Sequence, residues 1–263
     1  FHTWLPDAHG SATSSASAIL SAVVLKGYII LLIKVIYRLF GIEVIEAMGV
    51  FPIFLVLGLL GMILGSAMAL IQKDLKKMIA YSSVAQIGYI YLGIGMGSTL
   101  GMATAGFHII VHALTKSMLF ISGGNLLEIG NTKKIEDLKG LGRVDKVSGI
   151  MFTLGGLSMI GIPILSGFIS KFMFINAALD SKYMVIIVIA LAISTLLNGM
   201  YYVPVIISLF GKKGENENLN LNFISSGVGK LSLICLGGLN IMLGIFFSPV
   251  FNSILEGIAK GLG

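Results

Sequence analysis

Residues 107–120 read Phe107-His-Ile-Ile-Val-His-Ala-Leu-Thr-Lys-Ser-Met-Leu-Phe120. His108, His112 and Lys116 stand four apart in an otherwise apolar run. On a helix each step of four turns the direction by about 40°, so the three lie on one inclined stripe. Working outward, the flanking residues 99–106 and 121–123 are also apolar or small, enough for a helix that crosses a bilayer. Titratable groups in such a helix need a partner, a water channel or a function. Their stripe reads as part of a proton path.

The rest of the chain agrees with a membrane setting. Of 263 residues, 56% are hydrophobic and 11% charged, with a mean hydropathy of +0.97. Soluble domains carry about 25% charged residues. Repeated apolar runs make the chain an all-α, polytopic membrane protein. Its 34 glycines suit close helix approach in lipid. A single cysteine, Cys235, excludes an internal disulfide and a cysteine-ligated cluster. The net charge of +6 resides mostly in short loops, so it points to membrane orientation and not to nucleic acid. The sequence opens at Phe1 in a Trp-Leu-Pro turn and looks like a fragment.

After a polar loop at 1–11, in which Trp4 is placed as an interfacial anchor, seven apolar segments are expected. They fall at about 12–39, 49–72, 78–97, 99–123, 147–178, 183–210 and 227–251. Alternating sides gathers Lys73, Lys76, Lys77, Lys133, Lys134, Lys139, Arg143, Lys146, Lys212, Lys213 and Lys230 on one face. Lys34, Arg38, Lys182 and Lys260 fall on the other. The richer face is assigned to the cytoplasm, together with the N-terminal loop. Loop 125–146 mixes acids and bases and reads as a solvated, partly helical connection. Loop 211–222 is polar and Asn-rich.

The fifth segment is too long for one straight span and contains Gly161-Ile-Pro-Ile-Leu-Ser-Gly167. Pro163 removes a donor and clashes with the preceding turn, while Gly161 and Gly167 loosen the flanks. Two half-helices joined by an unwound piece are predicted. Such a break is tolerated at membrane depth where protein or water covers the freed carbonyls, and ion transporters use it.

Three basic residues remain inside segments: Lys26, Lys116 and Lys171. All twelve carboxylates lie in loops or near segment ends. Lys26 is about 13 residues from either end of its helix, roughly 20 Å and beyond snorkelling reach. A lysine at that depth costs about 2.5–3.5 kcal/mol on insertion scales. The bland alternatives are tethering to carbonyls for Lys26, snorkelling for Lys116 and Lys171, and satisfied core histidines for His108 and His112. A histidine pair four apart also suits zinc, but no carboxylate or cysteine lies near in sequence, so no metal site is expected. Ser82, Gln86 and Tyr89 share a face of the third segment. They serve either as interhelical hydrogen-bonding groups or as holders of water beside the basic stripe. Ser170 precedes Lys171 and is grouped with them as a supporting polar residue.

Four ordered stretches carry a resemblance: FHTWLPDAHGSATSSASAILSAVVLKGY (1–28), KDLKKMIAYSSVAQIGY (73–89), FHIIVHALTKSMLF (107–120) and GIPILSGFISKFMF (161–174). Together they resemble the antiporter-like membrane subunits of respiratory complex I, Mrp-type cation/proton antiporters and energy-converting membrane hydrogenases. The resemblance covers nearly the whole chain and weakens after about residue 180. It implies a fold of about fourteen helices in two inverted five-helix repeats, each with a broken helix. On that template residues 1–263 form one membrane domain, the C-terminal part of such a subunit. The second repeat would span about 49–210 and the final helix about 227–251. Lys26, Lys116 and Lys171 match the family's central and exit-side lysines, and His108 and His112 its connecting histidines. Departures are the absence of the first repeat, with its glutamate and the lysine that normally precedes FHTWLPDAH, and serines at Ser14 and Ser15 where many members have proline near Thr13.

The expected function is a proton-translocating, non-redox subunit of a redox-driven complex in the cell membrane, working beside other membrane subunits. Lys26 would be the entrance or central site, His108, His112 and Lys116 the middle, and Lys171 the outer exit. Two charges about 10 Å apart interact by roughly 1.7 kcal/mol at an effective dielectric near 20. That is enough to pass repulsion from one site to the next. No cofactor and no metal are expected in this chain. The alternatives are a sodium/proton antiporter subunit of the Mrp type and a non-conducting scaffold.

Overall fold

The computed structural model describes residues 4–212, 219–220 and 227–261. Lys213, counted above on the basic face, and most of loop 211–222 lie outside the described residues. The described chain is helical, with one isolated antiparallel bridge between Asp74 and Lys134. We number ten helices: α1 (Trp4–Ser11), α2 (Ser14–Phe40), α3 (Val50–Leu70), α4 (Leu75–Gly95), α5 (Thr99–Gly130), α6 (Lys146–Ile160), α7 (Ser166–Ala178), α8 (Met184–Leu209), α9 (Gly227–Ile245) and α10 (Phe247–Ala259). Short turns of helix at Ile42–Ala47, Glu136–Leu138 and Leu141–Val144 occupy the connections.

Local sequence explains where these helices start. Thr13, Asp74, Ser98 and Asp145 each accept from the backbone N–H three residues on, at 3.4, 3.1, 3.1 and 3.3 Å. Such side chains satisfy a donor that the helix leaves free. α5 closes on Asn131 in the left-handed region, and α6 on Gly161 likewise.

Several boundaries differ from the sequence reading. Residues 4–11 form a helix where a polar loop was expected, with Leu5 and His9 turned into the protein. α5 continues to Gly130, past the expected end at 123, because Leu126, Leu127 and Ile129 are buried in the core beneath the loops. The last apolar segment, expected to run to 251, ends at Ile245. A separate helix, α10, then packs Phe251 and Ile258 back onto the core. Among the described residues, five helices (α2, α3, α5, α8 and α9) are long and apolar enough to cross a membrane on those grounds alone. α4 carries Lys76, Lys77, Ser82, Ser83 and Gln86 in its 21 residues, and the α6–α7 pair consists of halves of 15 and 13 residues.

Glycine lets α3 and α4 touch backbone to backbone. A Cβ on Gly58 would stand 2.5 Å from Leu92 N, and one on Gly88 would stand 2.5 Å from Met62 N. The basic loops meet at one end of the bundle. Leu75 N donates to Lys133 O, Ile135 N to Lys73 O, and Gly140 N to Ser208 O, at 3.1, 2.9 and 2.9 Å. Lys77 binds Asp7 at 2.8 Å, which brings α1 to the same end. Loops 73–77 and 125–146 and the end of α8, which alternation assigned to one face, therefore lie together.

Candidate functional site

The predicted break is present, and it is narrower than the quoted motif. α6 ends at Ile160, residues 161–165 are unwound, and α7 restarts at Ser166, so Gly167 sits inside the second half-helix. Gly161 and Ile164 both have positive φ, at 94° and 80°. Gly167 is needed for contact: a Cβ there would collide with Ser158 O. Side chains take up the carbonyls that the break frees. Lys171 Nζ donates to Ile160 O at 2.9 Å, and Asn198 Nδ2 to Met159 O at 3.1 Å. A cation at the C-terminal end of α6 also meets the negative end of its dipole.

Lys171 is 9% exposed. It donates as well to Thr195 Oγ1 at 3.0 Å and stands 5.5 Å from the centre of the Tyr89 ring. With Thr195 it borders a cleft of about 430 Å³ between α6, α7 and α8. Tyr89 in turn stacks on His108, with ring centres 5.5 Å apart. His108 Nδ1 and Ser170 Oγ share a hydrogen bond of 2.6 Å, tying α5 to α7. The His108 and His112 rings stack at 6.1 Å, one helical turn apart. His108 Nε2, both nitrogens of His112 and Gln86 Nε2 are buried without a protein hydrogen-bond partner. Buried polar groups of this kind are ordinarily satisfied, by water where protein does not reach.

One turn beyond His112, Lys116 is fully buried, fourteen residues short of the end of α5. The longer helix removes the snorkelling alternative. Its ammonium donates to Ile79 O at 2.8 Å, to Ser82 Oγ, and at 3.5 Å to Tyr202 OH. Ser82 and Tyr202 hydroxyls are themselves 2.8 Å apart. Lys26 is 3% exposed and donates to Ser21 O, a carbonyl within a stretch of wider, five-residue-register turns at Leu20–Val24. Such turns recur at functional positions. Ser21 Oγ reaches Ser83 Oγ of α4 at 3.1 Å. Lys26 lies within electrostatic reach of His9, His108, His112 and Lys116. Among the described residues, no carboxylate pairs with any of the three buried lysines.

The sequence reading brought together Lys26, His108, His112, Lys116, Lys171, Ser82, Gln86, Tyr89 and Ser170, and the structure gathers them between α2, α4, α5 and α7. It missed Tyr202, Thr195, Asn198 and Asn240, uncharged polar residues in helices read as apolar. His9 was missed too. Its ring is buried on Phe120, with centres 4.7 Å apart, and neither nitrogen has a protein partner. Burial first, then the charges of Lys116 and Lys26, push its pKa down from 6.5 to about 4.

Residues 1–197 match the family described as NADH:quinone oxidoreductase/Mrp antiporter, transmembrane. The chain belongs to that family. Subunit N of the NADH-quinone oxidoreductase of Desulforudis audaxviator is 37% identical over 210 residues, covering 78% of this chain and 40% of that protein. Subunit M from Rickettsia prowazekii is 35% identical over 261 residues, covering 97% of this chain and 50% of that one. Among solved structures, a chain of the archaeal membrane-bound sulfane sulfur reductase superposes with a TM-score of 0.86 at 26% identity. It covers 98% of this chain and 51% of that one. This member of the antiporter family thus spans about half the length of the relatives it matches. The buried lysines and histidines all fall within the matched residues, whereas Tyr202 and Asn240 lie beyond them.

Proposed function

We propose that this chain is part of a proton-translocating membrane subunit of a redox-driven complex, and that protons move along Lys26, Lys116, His112, His108 and Lys171. The observation that carries the reading is the burial of three lysines and two stacked histidines in one connected region, with no carboxylate partner among the described residues. A fixed structural cation would be cheaper to pair than to leave unpaired. A group that must both take and give a proton is better left without a strong counter-ion.

The chemistry follows from the contacts. His112 sits between Lys116 and His108 on one helix face. His108 reaches Ser170 and Tyr89, and Tyr89 lies under the Lys171 ammonium. Water held by the unpartnered imidazole nitrogens and Gln86 would complete the wire. Lys171, beside the cleft, is the exit, and a proton there is held by Ile160 O and Thr195 until it leaves. Helices α3 to α8 would then form the second of two inverted repeats, with other membrane subunits as neighbours.

The family also includes Mrp antiporters, so sodium-coupled exchange is the rival reading. The deciding experiment places Lys26→Ala and Lys171→Ala separately in the whole complex and measures proton translocation and electron transfer in sealed vesicles. Each variant is expected to lose at least about tenfold in translocation, the scale of removing one essential transfer group. Full coupled pumping in both variants overturns the reading. Exchange that depends on sodium and persists without electron transfer favours the antiporter.

A further inference from the structure

α9 touches the rest of the protein along a narrow stripe. Its buried residues are Leu233, Gly237, Asn240, Leu243 and Gly244. In the middle of that stripe, Asn240 is fully buried. Its Nδ2 donates to Thr115 Oγ1 at 2.9 Å and to Ser158 Oγ at 3.2 Å. Ser158 Oγ also accepts from Gly167 N at 3.2 Å. One amide therefore joins the turn of α5 that carries Lys116, the last turn of α6 and the first turn of α7.

One turn further on, Gly244 presses against the unwound strand. A Cβ at Gly244 would overlap Ile164 O, and Ile164 is the β-branched residue held at positive φ. A β-branched residue keeps that conformation only where its surroundings enforce it. Asn240 and Gly244, four apart on one face, thus clasp the break from outside, and Ile160 O, the acceptor of the Lys171 ammonium, hangs from the clasped end.

We propose that Asn240 is a positioning residue for proton transfer: by tying Ser158 to Thr115 it holds the end of α6, and with it Lys171, at a fixed offset from Lys116. The proposal rests on the proton-path reading above. It assigns a role to a helix outside the family match, in which a lone asparagine would otherwise be mere interhelical glue.

The test is Asn240→Leu in the whole complex, which keeps the volume and removes the amide. Measured are the amount of assembled subunit, the translocation rate in vesicles and its pH profile. Expected are wild-type assembly, an approximately tenfold slower translocation, the scale of one or two buried hydrogen bonds, and a displaced pH profile. Asn240→Leu combined with Thr115→Val is expected to be no slower than Asn240→Leu alone, because outside its own helix the Thr115 hydroxyl is tied only by the Asn240 amide. Wild-type translocation at wild-type assembly, or losses that simply add, overturns the proposal. Should Asn240→Leu fail to assemble, Thr115→Val decides, since it removes the same bond from the other side with little change of shape. Slowed translocation in Thr115→Val supports the proposal and an unchanged rate overturns it. Lys171→Ala measured alongside separates the two failures. If it too pumps normally, the proton path is wrong; if it alone fails to pump, only the role of Asn240 is.

Discussion

The three buried lysines are not equivalent. Lys116 gives its ammonium three oxygen acceptors, Lys171 two and a ring face, and Lys26 one carbonyl. Lys116 is thus the most heavily tethered of the three ammonium groups. Tyr202→Phe removes one acceptor and the partner of Ser82. It is expected to slow translocation in vesicles by about two- to tenfold, with assembly intact, on the scale of one buried hydrogen bond. His9 gives a stability prediction. Its folded value of about 4 lies below the ordinary 6.5, so between these values the unfolded chain binds the extra proton. Stability is full above about pH 6.5 and falls as pH drops toward 4. His9→Phe keeps the stack on Phe120 and is expected to flatten that part of the curve, which thermal unfolding in detergent at several pH values reads directly. The lysines and the histidine pair were legible in the sequence because a charge in an apolar run is conspicuous. Tyr202, Asn198 and Asn240 were not, since uncharged polar residues in apolar segments are unremarkable and these find partners across the bundle.

At the scale of elements, Pro163 and the flanking glycines announced the break, yet they did not say which residue would carry the strain. That residue is Ile164, at φ 80° and 65% exposed, so its side chain is little packed against the protein. Ile164→Gly is expected to raise the stability of the complex by about 1 kcal/mol, because glycine adopts positive φ without penalty. Thermal unfolding of the assembled complex measures it. The α3–α4 seam has the opposite character. Gly88→Val would drive a branched side chain into the Met62 backbone, and a loss of about 3 kcal/mol or failure to assemble is expected in the same assay. Helix ends were less legible than helices. α5 outran its apolar stretch because tertiary burial beneath the loops stabilised two further turns, and α10 emerged because a turn at Phe246 folds an amphipathic segment back on the core.

For the whole molecule, the basic loops at 73–77 and 125–146 and the turn after α8 are stitched together at one end. Single cysteines placed in these loops, in a Cys235→Ser background, are expected to react with a membrane-impermeant thiol reagent from the cytoplasmic side. Cysteines at 43–48 and 97 are expected to react from the other side only. Labelling of both sets from one side would dismantle the topology. The fold class was legible from hydropathy and charge bias because those are properties of whole segments. The convergence of α2, α4, α5, α7 and α8 on one polar region was not, since no single segment encodes its neighbours. That interior has amines and imidazoles and, among the described residues, no fixed anion at the three lysines. On the proposed proton path, each hydrogen ion that arrives would raise the electrical cost of the next, and the row would behave as a turnstile: a newcomer admitted only as an occupant is ejected, with direction set by whichever end is made the harder to enter.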